Sequence, residues 1–421
     1  MLMLSCSLLV DSVNGFFLSG LGIDPKLSAA FKLTLLVLIL FQIGTYSFRA
    51  LAGLLSLVLL LSIGPLISLV RTLEVSGFIS DFTMLLKTVT SLIVFIYCVL
   101  ICRFWPSLLQ KYGKWCCQVS FTVLALNLIL GVLGYGFSSY GSTTQDESDG
   151  IGVKGFFYAG NEVSGLLILF FGTTLHLLWQ NHKLAYFLFS PIVLIAGLLV
   201  ATKSAMLSAA VLVFVIPLFN ERNRLLNITW LKVKMMFPIL MVGSILMLVF
   251  IPILEAAGVW DRLVWFYQKK GIAGLILSGR DEFLMTSIAA YQQFASLPEI
   301  LFGFGTTLSL IGSKSIEIDP LDLYFWFGLS GFLLFLLLAI LFFRTSYLAT
   351  QKSDSFWGPC VLVINIILFG VSCIAGHIFT SGMLAPFIGL VNGMAYADFY
   401  RKQGKLNNSS HREINANHNK T

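Results

Sequence analysis

From Leu323 to Phe343 the chain runs without one charged residue. Stretches of this kind recur along its length. A membrane-spanning helix needs about 20 predominantly apolar residues, and about twelve segments meet that need. They fall near residues 2–21, 30–48, 51–70, 82–102, 116–136, 161–180, 184–201, 204–219, 235–254, 321–343, 357–376 and 378–399. Hydrocarbon offers the backbone no water, so each span must satisfy its own N–H and C=O groups as a helix. The expected fold is therefore all-α: a polytopic membrane protein of about 12 transmembrane helices. Composition agrees, with 57% hydrophobic and 11% charged residues, more apolar surface than a soluble core hides. The weakest spans are the first, which carries Asp11 and Asn14, and the last two, which run on almost without a break. No basic segment and no small-x-small site precedes the second span, so no cleavable signal peptide is expected. Seven cysteines lie in or beside apolar spans without ligand spacing and read as packing residues.

Charge sets the orientation. "RFWPSLLQKYGK" (Arg103 to Lys114) and "NERNRLLNITWLKVK" (Asn220 to Lys234) are basic, whereas "TTQDESDG" (Thr143 to Gly150) is acidic. The positive-inside rule puts the first two in the cytoplasm and the third outside, with both termini cytoplasmic. The net charge of +7 then reflects topology. No basic–aromatic platform for nucleic acid is present. Residues 1–254 read as spans one to nine, 255–320 as a long extracytoplasmic loop, and 321–400 as spans ten to twelve. Residues 401–421 are polar, Asn-rich and aperiodic, the pattern of a disordered cytoplasmic tail.

The loop 255–320 is out of proportion to the other connections, and long loops tend to be functional. Two amphipathic helices are expected in it, "AAGVWDRLVWFYQKKGIAGLIL" and "SGRDEFLMTSIAAYQQFASLPE". In the second, Leu284, Ile288, Tyr291 and Ala295 follow helical spacing. The first carries Trp260, Trp265, Phe266 and Tyr267, as a headgroup-level belt would. Asp281 and Glu282 suit a helix's first turn, but Arg280 does not. A cation there is favourable when an anion binds, because exposed N–H groups and a guanidinium together hold phosphate. The plainer reading pairs Arg280 with Asp281, Glu282 or a lipid headgroup.

Further polar groups fall at the same ends of the spans. Asn161 and Glu162 open span six in "AGNEVSG", and Lys203 occupies a short turn in "ATKSAML". Asp319 and Asp322 begin span ten, and His377 lies between spans eleven and twelve. Ionisable groups at membrane depth are costly, so each is a functional candidate. Each also has a plainer role: Lys203 snorkelling, Asp322 capping a helix, His377 satisfied within the bundle. Mid-span charge is nearly absent apart from Asp11.

These residues resemble a family. "GNE" opening a span, "TKSAML" at a tight outer turn, "SGRDEF" in a long loop, then "LFGFG" and "IDPLDLYFWFGLSGF" occur in the order seen in the O-antigen polymerase and ligase superfamily of bacterial envelopes. The resemblance covers roughly residues 150 to 345; earlier spans match only generically. It implies a metal-independent, cofactor-free, multi-pass glycosyltransferase of the bacterial plasma membrane, with its active site on the outer face. The implied donor is a glycan linked through diphosphate to a polyprenol, typically undecaprenol. Arg280 and Lys203 match the family's basic residues and would bind the diphosphate. Ligases to lipid A core carry a histidine in the long loop, yet residues 255–320 contain none. That favours a polysaccharide repeat-unit polymerase making O-antigen, capsule or exopolysaccharide.

The acceptor's general base is open among His377, Glu162, Asp281 and Asp322, with His377 and Glu162 ahead on pKa grounds. Asn161, Tyr291 and Trp265 are candidates for the acceptor sugars, although Trp265 equally suits interface anchoring. A chain-length regulator is a candidate partner beside membrane lipid. The rivals are transfer of a finished glycan to another acceptor and a lipid-linked oligosaccharide flippase. A flippase needs charge within the bundle, so the polar clustering at one leaflet favours the enzyme.

Overall fold

A computed structural model describes residues 1–140, 151–221, 252, 255, 259–305 and 315–400. The expected span at 235–254 (save position 252), the acidic loop 143–150 and the tail 401–421 lie outside them. Among the described residues, nine helices are long and apolar enough to cross a membrane. They are α1 (Leu2–Leu21), α2 (Leu27–Tyr46), α3 (Phe48–Thr72), α4 (Val75–Phe104), α5 (Pro106–Val132), α6 (Gly160–Asn181), α7 (Lys183–Val200), α8 (Lys203–Asn220) and, after the long loop, α12 (Asp319–Thr350). The protein is a multi-pass, all-α membrane protein.

Local chemistry marks the boundaries. Ser47 caps α3 by accepting from Ala50 N, and Pro106 begins α5, where a missing N–H costs nothing. A two-residue turn, Ala201 in the left-handed region and Thr202 as N-cap, separates α7 from α8 as the sequence suggested. α6 is the central helix: 83% of its apolar window is buried, against 22% for α2. Buried Asn365 and Asn392 exchange side-chain hydrogen bonds of 2.9 and 3.1 Å, joining the last two helices, α13 (Gly358–Ser372) and α14 (residues 385–400). An antiparallel hairpin, β1 (Phe137–Tyr140) with β2 (Ile151–Gly155), flanks the acidic loop and was not expected.

Two other features depart from the sequence reading. The last two expected spans are not near-continuous. α13 has 15 residues, roughly 22 Å of helix, short of the ~30 Å hydrocarbon core. Residues 373–384 between α13 and α14 are non-helical. Irregular backbone at such depth persists only where the protein satisfies it. Asp319 accepts from Ile378 N and Phe379 N at 2.9 Å each, and Ser381 Oγ accepts from Met383 N and Leu384 N.

Among the described residues the long loop holds three helices: α9 (Val259–Leu277), α10 (Arg280–Phe294) and the short α11 (Leu297–Phe302). α11 starts with a capping box between Ser296 and Glu299, and buried Glu299 also pairs with Arg71 of α3. α12 breaks at Gly328 (φ 63°, ψ −156°), which frees carbonyls ahead of the break. Phe304 N donates to Phe325 O at 3.1 Å and Gly305 N to Trp326 O at 3.0 Å. The "LFGFG" and "YFWFG" motifs thus dock on each other through backbone.

Candidate functional site

Asn161 and Glu162 are consecutive in the first turn of α6, so they point about 100° apart. Asn161 Nδ2 donates to Ala375 O at 2.9 Å, in the non-helical stretch after α13. One turn on, Ser164 Oγ lies 2.6 Å from Thr202 Oγ1, tying α6 to the α7–α8 turn. That contact fixes Lys203, the first residue of α8, whose Nζ donates to Ser278 Oγ at 2.8 Å. Ser278 (φ 56°) and Gly279 (φ 91°) are both left-handed and form the corner into α10, which begins at Arg280.

Arg280 gathers the site. Its Nη2 is 2.8 Å from Glu317 Oε2 and its Nε donates to Glu317 O at 3.1 Å. Nη1 donates to Leu277 O at 3.3 Å, and Nη2 also reaches Ala375 O at 3.4 Å. The guanidinium is mostly buried, 13% exposed, whereas Glu317 is 40% exposed. Arg280, Lys203 and Asn161 are therefore brought together as expected, but Arg280 is not waiting for its anion: Glu317 supplies one.

Asp281 and Glu282 do not hold Arg280. Asp281 Oδ2 is 2.5 Å and Glu282 Oε1 is 2.9 Å from Lys270 Nζ, and Lys269 reaches Glu282 at 3.4 Å. This clasp joins α10 to α9 just before the α9 break at Gly271. Hydrogen bonds from Lys270 hold both carboxyls below the ordinary carboxylate range and hold the Lys270 ammonium above its own. Depressed carboxyl pKa values mean that the clasp is intact at neutral pH and is lost as pH falls through the carboxylate range. A spin-label pair at exposed Gln268 and Met285, placed by cysteine substitution after replacing Cys6 and Cys373, reads this directly. The expected distance distribution is narrow from about pH 5 to 9 and broadens towards pH 3. In Lys270→Met it is broad throughout; pH-independent narrow distances in both proteins would remove the clasp.

The other carboxylates serve backbone. Asp322 accepts from Ile316 N at 2.8 Å and Ser315 Oγ at 3.1 Å. Asp319 is filled by Ile378 N, Phe379 N and Thr380 Oγ1. His377, left-handed at φ 57° and half-buried, lies within electrostatic reach of Glu162, Asp319 and Asp322. Tyr291 is not a free sugar platform. Its hydroxyl is 2.9 Å from Tyr324 OH, and its ring packs edge-on against Phe304 and Phe325 in a small apolar cluster. Trp265 is 52% exposed with the Lys269 ammonium 5.0 Å from its ring centre.

Glu162 faces the other way, into a cavity of about 730 Å³ walled by α1, α2, α4, α6 and the start of α14. Its polar end holds Asp11, Ser28, Lys32, Lys87 and Glu162. Asp11 accepts from Ser28 Oγ and from Lys32 Nζ, the latter at 2.6 Å. Leu36, Ile39, Phe82, Leu86 and Val94 line the remainder. Phe156 and Phe157 close one side, and Asn127 fixes them by accepting from Phe156 N at 2.9 Å and donating to Lys154 O at 2.8 Å. Neither Lys32 nor Lys87 is among the candidates legible from the sequence. The signal exists in each, a charge inside an apolar run, and it shows that Asp11 is not alone at membrane depth.

Compared with known proteins, the chain matches no family model and no curated protein.

Proposed function

We propose that this protein is a glycosyltransferase that polymerises polysaccharide repeat units, moving a glycan from a polyprenyl diphosphate such as undecaprenyl diphosphate to a lipid-linked acceptor. The bacterial plasma membrane is its location, with both termini cytoplasmic and the Arg280 end outside. The observation that supports this best is the two-sided start of α6. On one side Asn161 shares Ala375 O with Arg280, near Lys203; on the other, Glu162 lines a cavity that is polar at one end and apolar at the other. An acceptor hydroxyl attacks the donor's anomeric carbon and passes its proton to Glu162. The bond from that carbon to the diphosphate oxygen breaks, and the diphosphate leaves with the electron pair. Cations preplaced where that charge develops supply much of the rate, and diphosphate takes over from Glu317 at Arg280.

A second reading, a flippase for the same lipid, is favoured by one observation: Asp11, Lys32 and Lys87 line a cavity between spans. The two part company in detergent, where a transferase still lengthens glycan and a flippase does nothing measurable. The test uses purified protein with a polyprenyl-diphosphate oligosaccharide, products resolved on a gel. Arg280→Ala and Lys203→Ala are each expected to lower chain extension by about 10²–10³-fold, the usual effect of losing one charge-stabilising donor. Arg280→Lys, which keeps the charge but not the fork towards Glu317, serves as the folding control. Wild-type chain lengths from both alanine variants at normal abundance would overturn the diphosphate site.

A further inference from the structure

We infer that the cavity between α1, α2 and α4 is a second lipid site, distinct from the Arg280–Lys203 side, which holds the acceptor as a sugar-headed phospholipid; this rests on the transfer reaction proposed above. Its volume of about 730 Å³ falls in the range of about 300–1,000 Å³ usual for small-molecule sites. Two lining residues, Leu33 and Ile79, are 54% and 59% exposed on α2 and α4. The cavity is therefore open sideways to a lipid chain, which the apolar stretch from Leu36 and Ile39 to Phe82 and Leu86 would cover.

The polar end selects the head. Lys32, which pairs with Asp11, and Lys87 lie near Glu162, and the exposed Asp24–Lys26 pair also lines the cavity, so cations and carboxylates balance. A bare anionic headgroup would meet lysines and carboxylates alike, and the carboxylates would repel it. Sugar hydroxyls donate to carboxylates, while lysine ammoniums donate to phosphate. A head that joins phosphate to sugar uses both sets. Glu162 stands where such a sugar would lie, and Asn161, its chain neighbour, bonds towards the Arg280 side. The first turn of α6 would thus stand where the two lipid sites meet, with the proton-accepting carboxylate on the acceptor side.

The site is testable by photolabelling in detergent, without turnover. The probe is a polyprenyl-diphosphate disaccharide with a diazirine in its lipid chain. Label is expected on peptides of α2 and α4 around Leu36, Ile39, Phe82 and Leu86. Excess unlabelled disaccharide lipid should displace it, sugar-free polyprenyl diphosphate should compete at least tenfold more weakly, and phosphatidylglycerol should not compete. Lys87→Gln should reduce displaceable label about tenfold, as should Thr90→Trp, which fills the cavity from α4. Label confined to α8 and α12, or equal displacement by phosphatidylglycerol, would overturn the proposal, the latter marking a bulk-lipid crevice. Sugar-dependent displacement from α2 and α4 in a protein that extends no glycan would keep the lipid site and defeat the transferase reading instead.

Discussion

Glu162→Gln is expected to lower glycan extension by about 10²–10⁴-fold, the contribution of a positioned general base, with the protein still at wild-type abundance in the membrane. Glutamine keeps the shape and the capacity to accept a hydrogen bond but takes up no proton. The prediction turns on the distinct positions of the candidate bases. Asp322 accepts from Ile316 N and Ser315 Oγ, so Asp322→Asn loosens the approach to α12 and should act through folding. Asp281 is held by Lys270, on the clasp between α9 and α10. Glu162 has the cavity in front of it, with Ser381 beside it. His377→Gln is expected to have the smaller effect, because His377 lies near Glu162 but is not among the residues that line the cavity. Steady-state extension by the purified variants at matched protein concentration decides the order. Equal activity of Glu162→Gln and wild type would make the carboxylate a structural group and return the base to His377.

How much of this was legible depends on the range of each signal. Apolar length is local, and α1 to α8 and α12 stand where the apolar runs fall. The break after α13 was hidden by the same signal, since Ile374, Ile378 and Phe379 keep the run apolar while the backbone is not helical. The meeting of Arg280, Lys203 and Asn161 was foreseeable from topology, which gathers one set of span ends. The partner of Arg280 was not: Glu317 lies 37 residues away and depends on how the loop returns to α12. Tyr291 followed the expected helical spacing, and that same spacing buries it against Phe325. Lys32 and Lys87 sit inside runs so apolar that one lysine barely alters the window, and only packing α2 against α4 makes them neighbours of Glu162.

The largest stability effect is expected at Gly328. Its φ of 63° and ψ of −156° lie in a region open essentially to glycine alone, so a side chain costs about 1–3 kcal/mol in backbone strain. A Cβ there would also overlap Phe302 N and Gly303 N, backbone atoms that cannot swing aside. Such overpacking adds about 1–3 kcal/mol. Gly328→Ala should therefore lose roughly 2–6 kcal/mol, a large share of the 5–15 kcal/mol that holds a typical domain together. The loss has a specific route. Pushing Gly303 off α12 breaks the bonds from Phe304 N and Gly305 N, and with them the return of the loop that presents Glu317 to Arg280. Thermal unfolding in detergent should show a large drop, and membrane abundance should fall with it. Gly370, exposed in α13 with open space where its Cβ would go, is the matched control. Gly370→Ala should be neutral or gain up to about 1 kcal/mol from helix propensity. Equal stability of the two variants would mean that the loop does not dock on the α12 break, and the Arg280 corner would then need another support.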